Sequence, residues 1–186
     1  GQRPDVDTRN PDVRIYAFLT DRRVTLYLDL SGEPLFKRGY RTDTGEAPLR
    51  ENLAAGVLAL TGWSPQEPLL DPMCGSGTFL IEAAMIGRHI APGHARRFGF
   101  EHLEAFDAGA WRQLLDQARS GERDDVTLDI RGSDRDSRVL QVANEAVARA
   151  GLSSAIALTH ADALDATPDT PSGVLVCNPP YGVRLE

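Results

Sequence analysis

The chain has 186 residues, of which 41% are hydrophobic and 25% are charged, a composition typical of a folded globular domain. Its formal net charge of −7 argues against a surface built simply to grip a polyanion. No apolar run approaches the roughly 18 residues of a membrane span, and the first residues lack the apolar segment of a signal peptide. The two cysteines fit neither a disulfide framework nor a zinc site, so we expect a reducing, cytoplasmic compartment and no metal.

The N-terminal quarter predicts a β-hairpin followed by a linker. Residues 13–19 and 24–30 are rich in β-branched and aromatic residues, and Asp21-Arg22 separates them. Residues 31–46 are polar and contain many turn-forming residues, which is typical of a connecting segment.

A helix is expected within 47–63, because apolar residues recur there at helical spacing, Pro48 suits the first turn and Gly62 suits a C-terminal cap. Beyond it, strands and helices alternate. Strands are expected near 69–71, 127–131, 155–160 and 173–177, and helices near 78–89, 107–119 and 137–150.

This alternation predicts an α/β fold with a parallel sheet and right-handed crossovers. A complete doubly wound domain usually has more than the four core strands expected here. The chain is therefore expected to be a piece of a larger enzyme.

The segment DPMCGSGT at 71–78 lies between a predicted strand and a predicted helix. Gly75 and Gly77 permit a tight turn and a close approach of ligand to backbone, and the amides that open the helix would face that ligand. A tight turn without a ligand is the alternative. The spacing is not that of the dinucleotide-binding G-x-G-x-x-G motif, which disfavours a dinucleotide oxidoreductase.

Acidic residues follow the next two strands. Asp134 stands where nucleotide-binding folds hold ribose hydroxyls, although a helix cap is an equal alternative for it, and Asp136 fits a cap better. Asp162 could accept a hydrogen bond from an amino group, whereas His160 fits a packed or capping residue better than a catalytic base.

The sequence NPPYG at 178–182 ends the last apolar strand. Its two prolines make the loop rigid and hold the preceding residues extended. An ordinary turn explains the prolines and Gly182, but not an Asn before them and a Tyr after them.

Together, DPMCGSGT and NPPY resemble the class I S-adenosylmethionine-dependent methyltransferases that act on exocyclic amino groups of bases. KRGYR (37–41), APLRENLAA (47–55) and RRFGFEHL (96–103) extend the resemblance to the THUMP-containing RNA guanine-N2 methyltransferases of UPF0020 type. The similarity covers essentially the whole chain and is closest to the bacterial enzymes that methylate 23S ribosomal RNA.

This resemblance implies a partial Rossmann-like methyltransferase sheet at 47–186, preceded at 1–46 by the hairpin and linker that end a THUMP-type region. It implies methyl transfer from S-adenosylmethionine to the N2 amine of a guanine in 23S ribosomal RNA, with RNA as the partner of the complete protein. The implied cofactor-binding residues are Asp71, Met73, Gly75 and Gly77 for the methionine part, Asp134 for the ribose, and Asp162 and Ala163 for the adenine.

The NPPY loop, with Asn178, Pro179 and Tyr181, would receive the target amine in this family. Arg50 and Asn52 are further candidates, since the matching segment packs near the cofactor. Two other functions remain open: a DNA adenine-N6 methyltransferase, which shares NPPY, and a non-catalytic nucleotide-binding fragment of the fold.

Overall fold

A computed structural model of the chain describes residues 6–9, 11–41 and 49–180. Its strands are β1 (Arg14–Thr20), β2 (Arg23–Asp29), β3 (Leu69–Asp71), β4 (Ile130–Asp134), β5 (Ile156–His160) and β6 (Val174–Leu175). Its α-helices are α1 (Glu51–Thr61), α2 (Thr78–Gly87), α3 (Ala108–Ser120) and α4 (Ser137–Arg149), and short 3-10 helices span Gly99–His102 and Ala163–Asp165.

The predicted hairpin is confirmed. β1 and β2 pair antiparallel, with Thr20 opposite Arg23 across the two-residue turn. Large apolar side chains on the hairpin are exposed, among them Phe18 at 61% and Leu26 at 69%. The hairpin therefore adds little to the hydrophobic core.

The other four strands form one parallel sheet in the order β5-β4-β3-β6, which confirms the α/β fold class. β4 lies beside β3, and β5 lies beside β4 at one edge of the sheet. The last strand, β6, pairs with the opposite side of β3. The strand order thus reverses between β3 and β6, and in open α/β sheets ligands bind at the carboxyl edge beside such a reversal.

The core lies between this sheet and its helices. Leu69, Ile130 and Ile156 are neighbours across the sheet and are buried. Helix α2 is buried on nearly all sides, with Leu80 and Ile81 at 0% exposure. Since an all-round apolar helix needs cover on every face, α2 is the central helix of the domain.

The predicted end of the second sheet strand was wrong. The sequence suggested a strand near 127–131, but β4 runs from Ile130 to Asp134. A Cβ at position 132 would lie 2.3 Å from Leu80 Cδ1. Gly132 therefore lets α2 pack against the strand.

Helix α1 is confirmed, and it ends where Gly62 adopts the left-handed conformation at φ 71°. Pro48, its predicted first-turn residue, lies outside the described residues. The buried face consists of Glu51, Ala54 and Leu58, while Leu60 of the apolar series is 89% exposed. The spacing predicted the helix, but it did not predict which face is buried.

Candidate functional site

The loop from Asp71 to Gly77 connects β3 to α2 at the carboxyl edge of the sheet. Asp71 is buried, and its Oδ1 accepts a hydrogen bond from the Met73 amide at 3.2 Å. The Cys74 amide donates to the Ser133 carbonyl at 2.9 Å, and the Gly77 amide donates to the Cys74 carbonyl at 2.8 Å. These bonds fix the loop against the end of β4.

The two predicted glycines are used differently. Both have positive φ angles, 54° at Gly75 and 78° at Gly77, which glycine adopts without strain. A Cβ at Gly77 would lie 3.5 Å from Ala143 Cβ of α4, whereas a Cβ at Gly75 would meet no described atom within 4 Å. Gly77 thus serves helix packing, and Gly75 borders open space that a ligand could enter.

The N-terminus of α2 points out of this loop. Within the described chain no side chain caps it, and its first turn carries no acidic residue. The first amides of a helix have no intrahelical acceptor, and the helix dipole favours negative charge there. This end of α2 is therefore suited to an anionic group.

Asp134 ties the glycine loop to the end of β4. Its Oδ2 accepts from the Gly75 amide at 3.0 Å, and its Oδ1 accepts from the Asp136 amide at 2.9 Å. A carboxylate has about four acceptor positions, so capacity remains for donors such as hydroxyl groups. The neighbouring Asp136 accepts from the Arg138 amide and caps α4, as the sequence indicated.

The environment of the loop shifts the pKa of two of its groups. Burial, reinforced by the charge of Asp134 and opposed by the Met73 amide, raises the pKa of Asp71 to about 7. Burial, together with the charges of Asp71 and Asp134, raises the pKa of the Cys74 thiol to about 12. The thiol is neutral at physiological pH and unsuited to act as a nucleophile.

Asp162 and Ala163 follow β5, beside the end of β4, because Asp134 and His160 are partners in the β4–β5 register. Both residues are half-buried. Asp162 Oδ1 accepts from the Leu164 amide at 2.9 Å and caps the short 3-10 helix. His160 is exposed, and its Nε2 lies 3.0 Å from the Arg135 carbonyl.

Asn178 and Pro179 follow β6, the strand on the other side of β3. The Val176 amide bonds to the Leu70 carbonyl at 3.0 Å, so this segment leaves the sheet beside Asp71. Asn178 is half-buried and Pro179 is exposed. Tyr181 lies outside the described residues.

A buried polar cluster behind the loop was missed by the sequence analysis. Glu82 of α2 accepts from the Arg38 guanidinium at 3.2 and 3.3 Å and from the Tyr40 hydroxyl at 3.3 Å. Arg41 lies 3.7 Å from Glu51 and donates to Thr78 Oγ1. The available signal was an acidic residue, Glu51, at the start of a predicted helix that follows the basic KRGYR segment.

The further candidates Arg50 and Asn52 are not part of this cluster. The Arg50 guanidinium stacks over the Phe36 ring at 5.1 Å, and Asn52 is exposed. Among the described residues, no three His, Cys, Asp or Glu side chains come together as a metal site, and no helix is both long and apolar enough to cross a bilayer.

The chain is similar to known methyltransferases. A curated relative, the Ribosomal RNA large subunit methyltransferase K/L of Desulfotalea psychrophila, is 47% identical over all of this chain and 27% of its own length. The chain thus spans about a quarter of that relative.

Two solved structures share the fold closely. SMU.472, described as a methyltransferase and solved in complex with SAH, is 40% identical with a TM-score of 0.88, covering 96% of this chain and 46% of its own. A protein from Listeria monocytogenes, described as a predicted N6-adenine-specific DNA methylase, is 39% identical with a TM-score of 0.86. The match covers 92% of this chain and 45% of the Listeria protein.

Two family models match. The THUMP domain matches residues 1–29, and the UPF0020 family, described as RMKL-like, methyltransferase domain, matches residues 38–186. This second match covers most of the chain, including the glycine loop, Asp134 and the NPPY segment, and it confirms the resemblance found in the sequence. The chain belongs to the UPF0020 family of RMKL-like methyltransferase domains.

Proposed function

We propose that this chain forms the cofactor-binding and base-receiving part of an S-adenosylmethionine-dependent methyltransferase that acts on the exocyclic N2 amine of a guanine in 23S ribosomal RNA. The family match, the name of the curated relative and the SAH complex of a structural relative support this proposal. A ribosomal substrate would also place the enzyme in the cytoplasm. The division into a THUMP-type tail at 1–46 and a methyltransferase part at 47–186 belongs to the same proposal.

The observation that carries the proposal is the arrangement at the carboxyl edge of the sheet. The glycine loop follows β3, Asp134 is the last residue of β4 and the Asn178 segment follows β6. These strands are neighbours in the order β4-β3-β6. The reversal of strand order between β3 and β6 lies between the cofactor loop and the Asn178 segment. A cofactor and a base could therefore meet at this edge.

The residues at this edge fit the parts of S-adenosylmethionine. The open space beside Gly75 and the uncapped N-terminus of α2 suit the methionine part and its carboxylate. In this assignment Asp71, Met73, Gly75 and Gly77 border the methionine part. Asp134 has free acceptor capacity for ribose hydroxyls, and Asp162 with Ala163 would face the adenine.

In the proposed mechanism the chain positions the amine, while the bound cofactor supplies an activated methyl group on its sulfonium. The N2 lone pair of guanine is delocalised into the ring and is a poor nucleophile. Asn178 Oδ1 and the Pro179 carbonyl would each accept a hydrogen bond from one of the two N2–H groups. These hydrogen bonds would turn the nitrogen lone pair toward the methyl group, and they would stabilise the positive charge that develops on the nitrogen. Tyr181 would stack on the flipped base.

RNA is the expected partner of the complete protein, and this chain is not expected to hold it alone. Its net charge is −7, and residues 51–186 carry eleven basic against nineteen acidic side chains. Phosphate contacts dominate RNA affinity and need basic residues. We assign most of the RNA binding to the THUMP region. Residues 1–29 of this chain match the THUMP domain.

Titration calorimetry of the chain with S-adenosylmethionine and S-adenosylhomocysteine tests the cofactor site. Saturable binding that Asp134→Ala abolishes and Asp136→Ala retains is the expected result, because Asp136 caps α4 in the same turn without touching the glycine loop. A cooperatively folding chain that binds neither compound would contradict the proposal.

A DNA adenine-N6 methyltransferase is the second candidate, favoured by the description of the Listeria relative. Transfer of a labelled methyl group by the full-length protein to ribosomal RNA or to duplex DNA, followed by nucleoside analysis, separates the two. We expect label on guanine from RNA, and N6-methyladenine from DNA would establish the alternative.

A further inference from the structure

The side chains of the β1–β2 hairpin divide into two faces of different chemistry. Residues two apart on a strand share a face, and the antiparallel register pairs them across the hairpin. The first face, called the aliphatic face, consists of Ile15, Ala17, Leu19, Val24, Leu26 and Leu28. The second face, called the aromatic face, consists of Arg14, Tyr16, Phe18, Thr20, Arg23, Thr25, Tyr27 and Asp29.

The two faces suit different surroundings. An antiparallel sheet commonly packs one face on a core and leaves the other in contact with water. The aliphatic face carries no polar side chain, so it suits the packed side. The aromatic face carries charged residues and threonines, so it suits the solvated side, and we expect it to stay accessible in the complete protein.

Three aromatic rings lie on this solvated face. Tyr16 and Tyr27 are partners across the strands, and Phe18 lies two residues along β1 from Tyr16. Their exposed fractions are 54% for Tyr16, 55% for Tyr27 and 61% for Phe18. Cross-strand partners have Cβ atoms about 5 Å apart, and residues two apart on a strand are about 7 Å apart. The rings therefore form one continuous exposed patch, which is typical of a binding surface.

Arginines lie at one end of this patch. Arg22 in the turn and Arg23 at the start of β2 are both exposed, and Asp21 shares the turn with them. Asp29, the acid of the aromatic face, lies at the opposite end, where its Oδ1 accepts from the Ser31 amide at 2.9 Å. The turn end of the patch thus carries two cations against one anion, which favours a negatively charged partner.

Unpaired RNA bases match the aromatic face. Proteins bind single-stranded RNA by stacking its bases on exposed aromatic rings, and arginine binds the phosphates. We propose that the aromatic face binds unpaired bases of the ribosomal RNA substrate by stacking them on Tyr16, Phe18 and Tyr27, with Arg22 and Arg23 on the phosphates. This inference rests on the proposed function, and it names an RNA-binding surface within the segment that matches the THUMP domain.

The test measures the affinity of the full-length protein for a 23S ribosomal RNA transcript by filter binding. Tyr16→Leu combined with Tyr27→Leu removes two rings and keeps apolar bulk. This variant should weaken the Kd about 10- to 100-fold, the range for the loss of one or two stacked bases. Tyr16→Phe combined with Tyr27→Phe keeps the rings and should retain the Kd within about twofold.

Thermal unfolding of the same proteins separates stacking from packing. The melting temperature of the leucine variant should stay within about 2 °C of the unmodified protein, because substitutions on a solvated face have small effects on stability. A large fall in melting temperature, or a variant that does not fold, would show that the face packs against protein and would overturn the inference. A folded leucine variant with an unchanged Kd would also overturn it.

Leu26→Thr is the control on the aliphatic face. It should lower the melting temperature, because that face is expected to be packed, while the folded protein retains its Kd for the RNA. A larger loss of RNA affinity in Leu26→Thr than in the leucine variant would assign the RNA to the other face and overturn the inference.

A full-length protein that neither binds 23S ribosomal RNA nor transfers a methyl group to it contradicts the proposed function, and this inference with it. A protein that methylates this RNA and binds it equally well without the two tyrosine rings contradicts the inference alone.

Discussion

Asp71 of the glycine loop and Asp134 at the end of β4 are neighbouring carboxylates in different environments. Asp71 is 1% exposed, and the charge of Asp134 adds to the effect of its burial. Asp134 is half-buried and accepts two amides. The raised pKa of Asp71 therefore couples the glycine loop to pH.

Asp71 should lower the stability of the fold as pH rises from about 4 to 7. Its ordinary pKa is 3.8 and burial raises it to about 7, so the unfolded chain ionises first in this window. The free energy of unfolding should fall by up to about 4 kcal/mol and level off above pH 7. Asp71→Asn should flatten this slope in urea titrations across pH.

Asp136→Asn is the control, because contact with Arg138 lowers the pKa of Asp136 and its titration lies below that window. An unchanged slope in Asp71→Asn would contradict the raised pKa.

Asn178 tests the assignment of the amine site. If its side-chain oxygen accepts an N2–H bond, Asn178→Ala in the full-length protein should lower kcat by about 100-fold, as for other lost transition-state hydrogen bonds. The Kd for S-adenosylhomocysteine should stay within about twofold. Cys177→Ala, at the exposed neighbouring position, should change neither, and equal losses of turnover and affinity in Asn178→Ala would argue against the role.

Among the elements, the contact of β4 with α2 determines the position of the glycine loop. Leu80 lies over Gly132, where a Cβ would also come within 3.1 Å of Leu158 Cδ2 and 3.2 Å of Cys74 Cβ. Because interiors are packed as densely as crystals, an added methyl group here must displace the helix, the strand or the loop.

Gly132→Ala should therefore lower the free energy of unfolding by about 1–3 kcal/mol, the usual effect of overpacking. Gly56→Ala is the matched control, because a Cβ at Gly56 in the middle of α1 meets no described atom within 4 Å. It should stabilise the chain by about 0.5–1 kcal/mol through helix propensity. Urea unfolding measures both, and equal effects would refute the packing argument.

For the molecule as a whole, Arg96 connects the hairpin region to the methyltransferase domain. Its guanidinium donates to the carbonyls of Ser31 at 3.1 Å, Pro34 at 2.9 Å and Glu33, and it lies over the Phe98 ring at 4.9 Å. The Phe100 amide also bonds to the Leu30 carbonyl at 3.0 Å. The segment after α2 thus fixes the linker that follows the hairpin.

Arg96→Lys should loosen this linker, because an ammonium cannot reproduce the planar fork that reaches several carbonyls at once. Amide hydrogen exchange at 31–37 should become about tenfold faster, while exchange in α2 stays unchanged. Arg97→Lys changes an exposed neighbour and should leave both unaffected. Unchanged exchange in the linker of Arg96→Lys would show that Arg96 does not hold it.

The sequence by itself determined the hairpin, the alternation of strands and helices, and the glycine, acidic and NPPY segments, because turn residues and hydrophobic periodicity are local properties. Only the tertiary structure decided that Gly132 lies within a strand, since its reason is a contact with Leu80, 52 positions earlier in the chain. The same holds for the buried Arg41–Glu51 pair. Charged residues are usually exposed, and their burial here depends on how α1, α2 and the linker pack together.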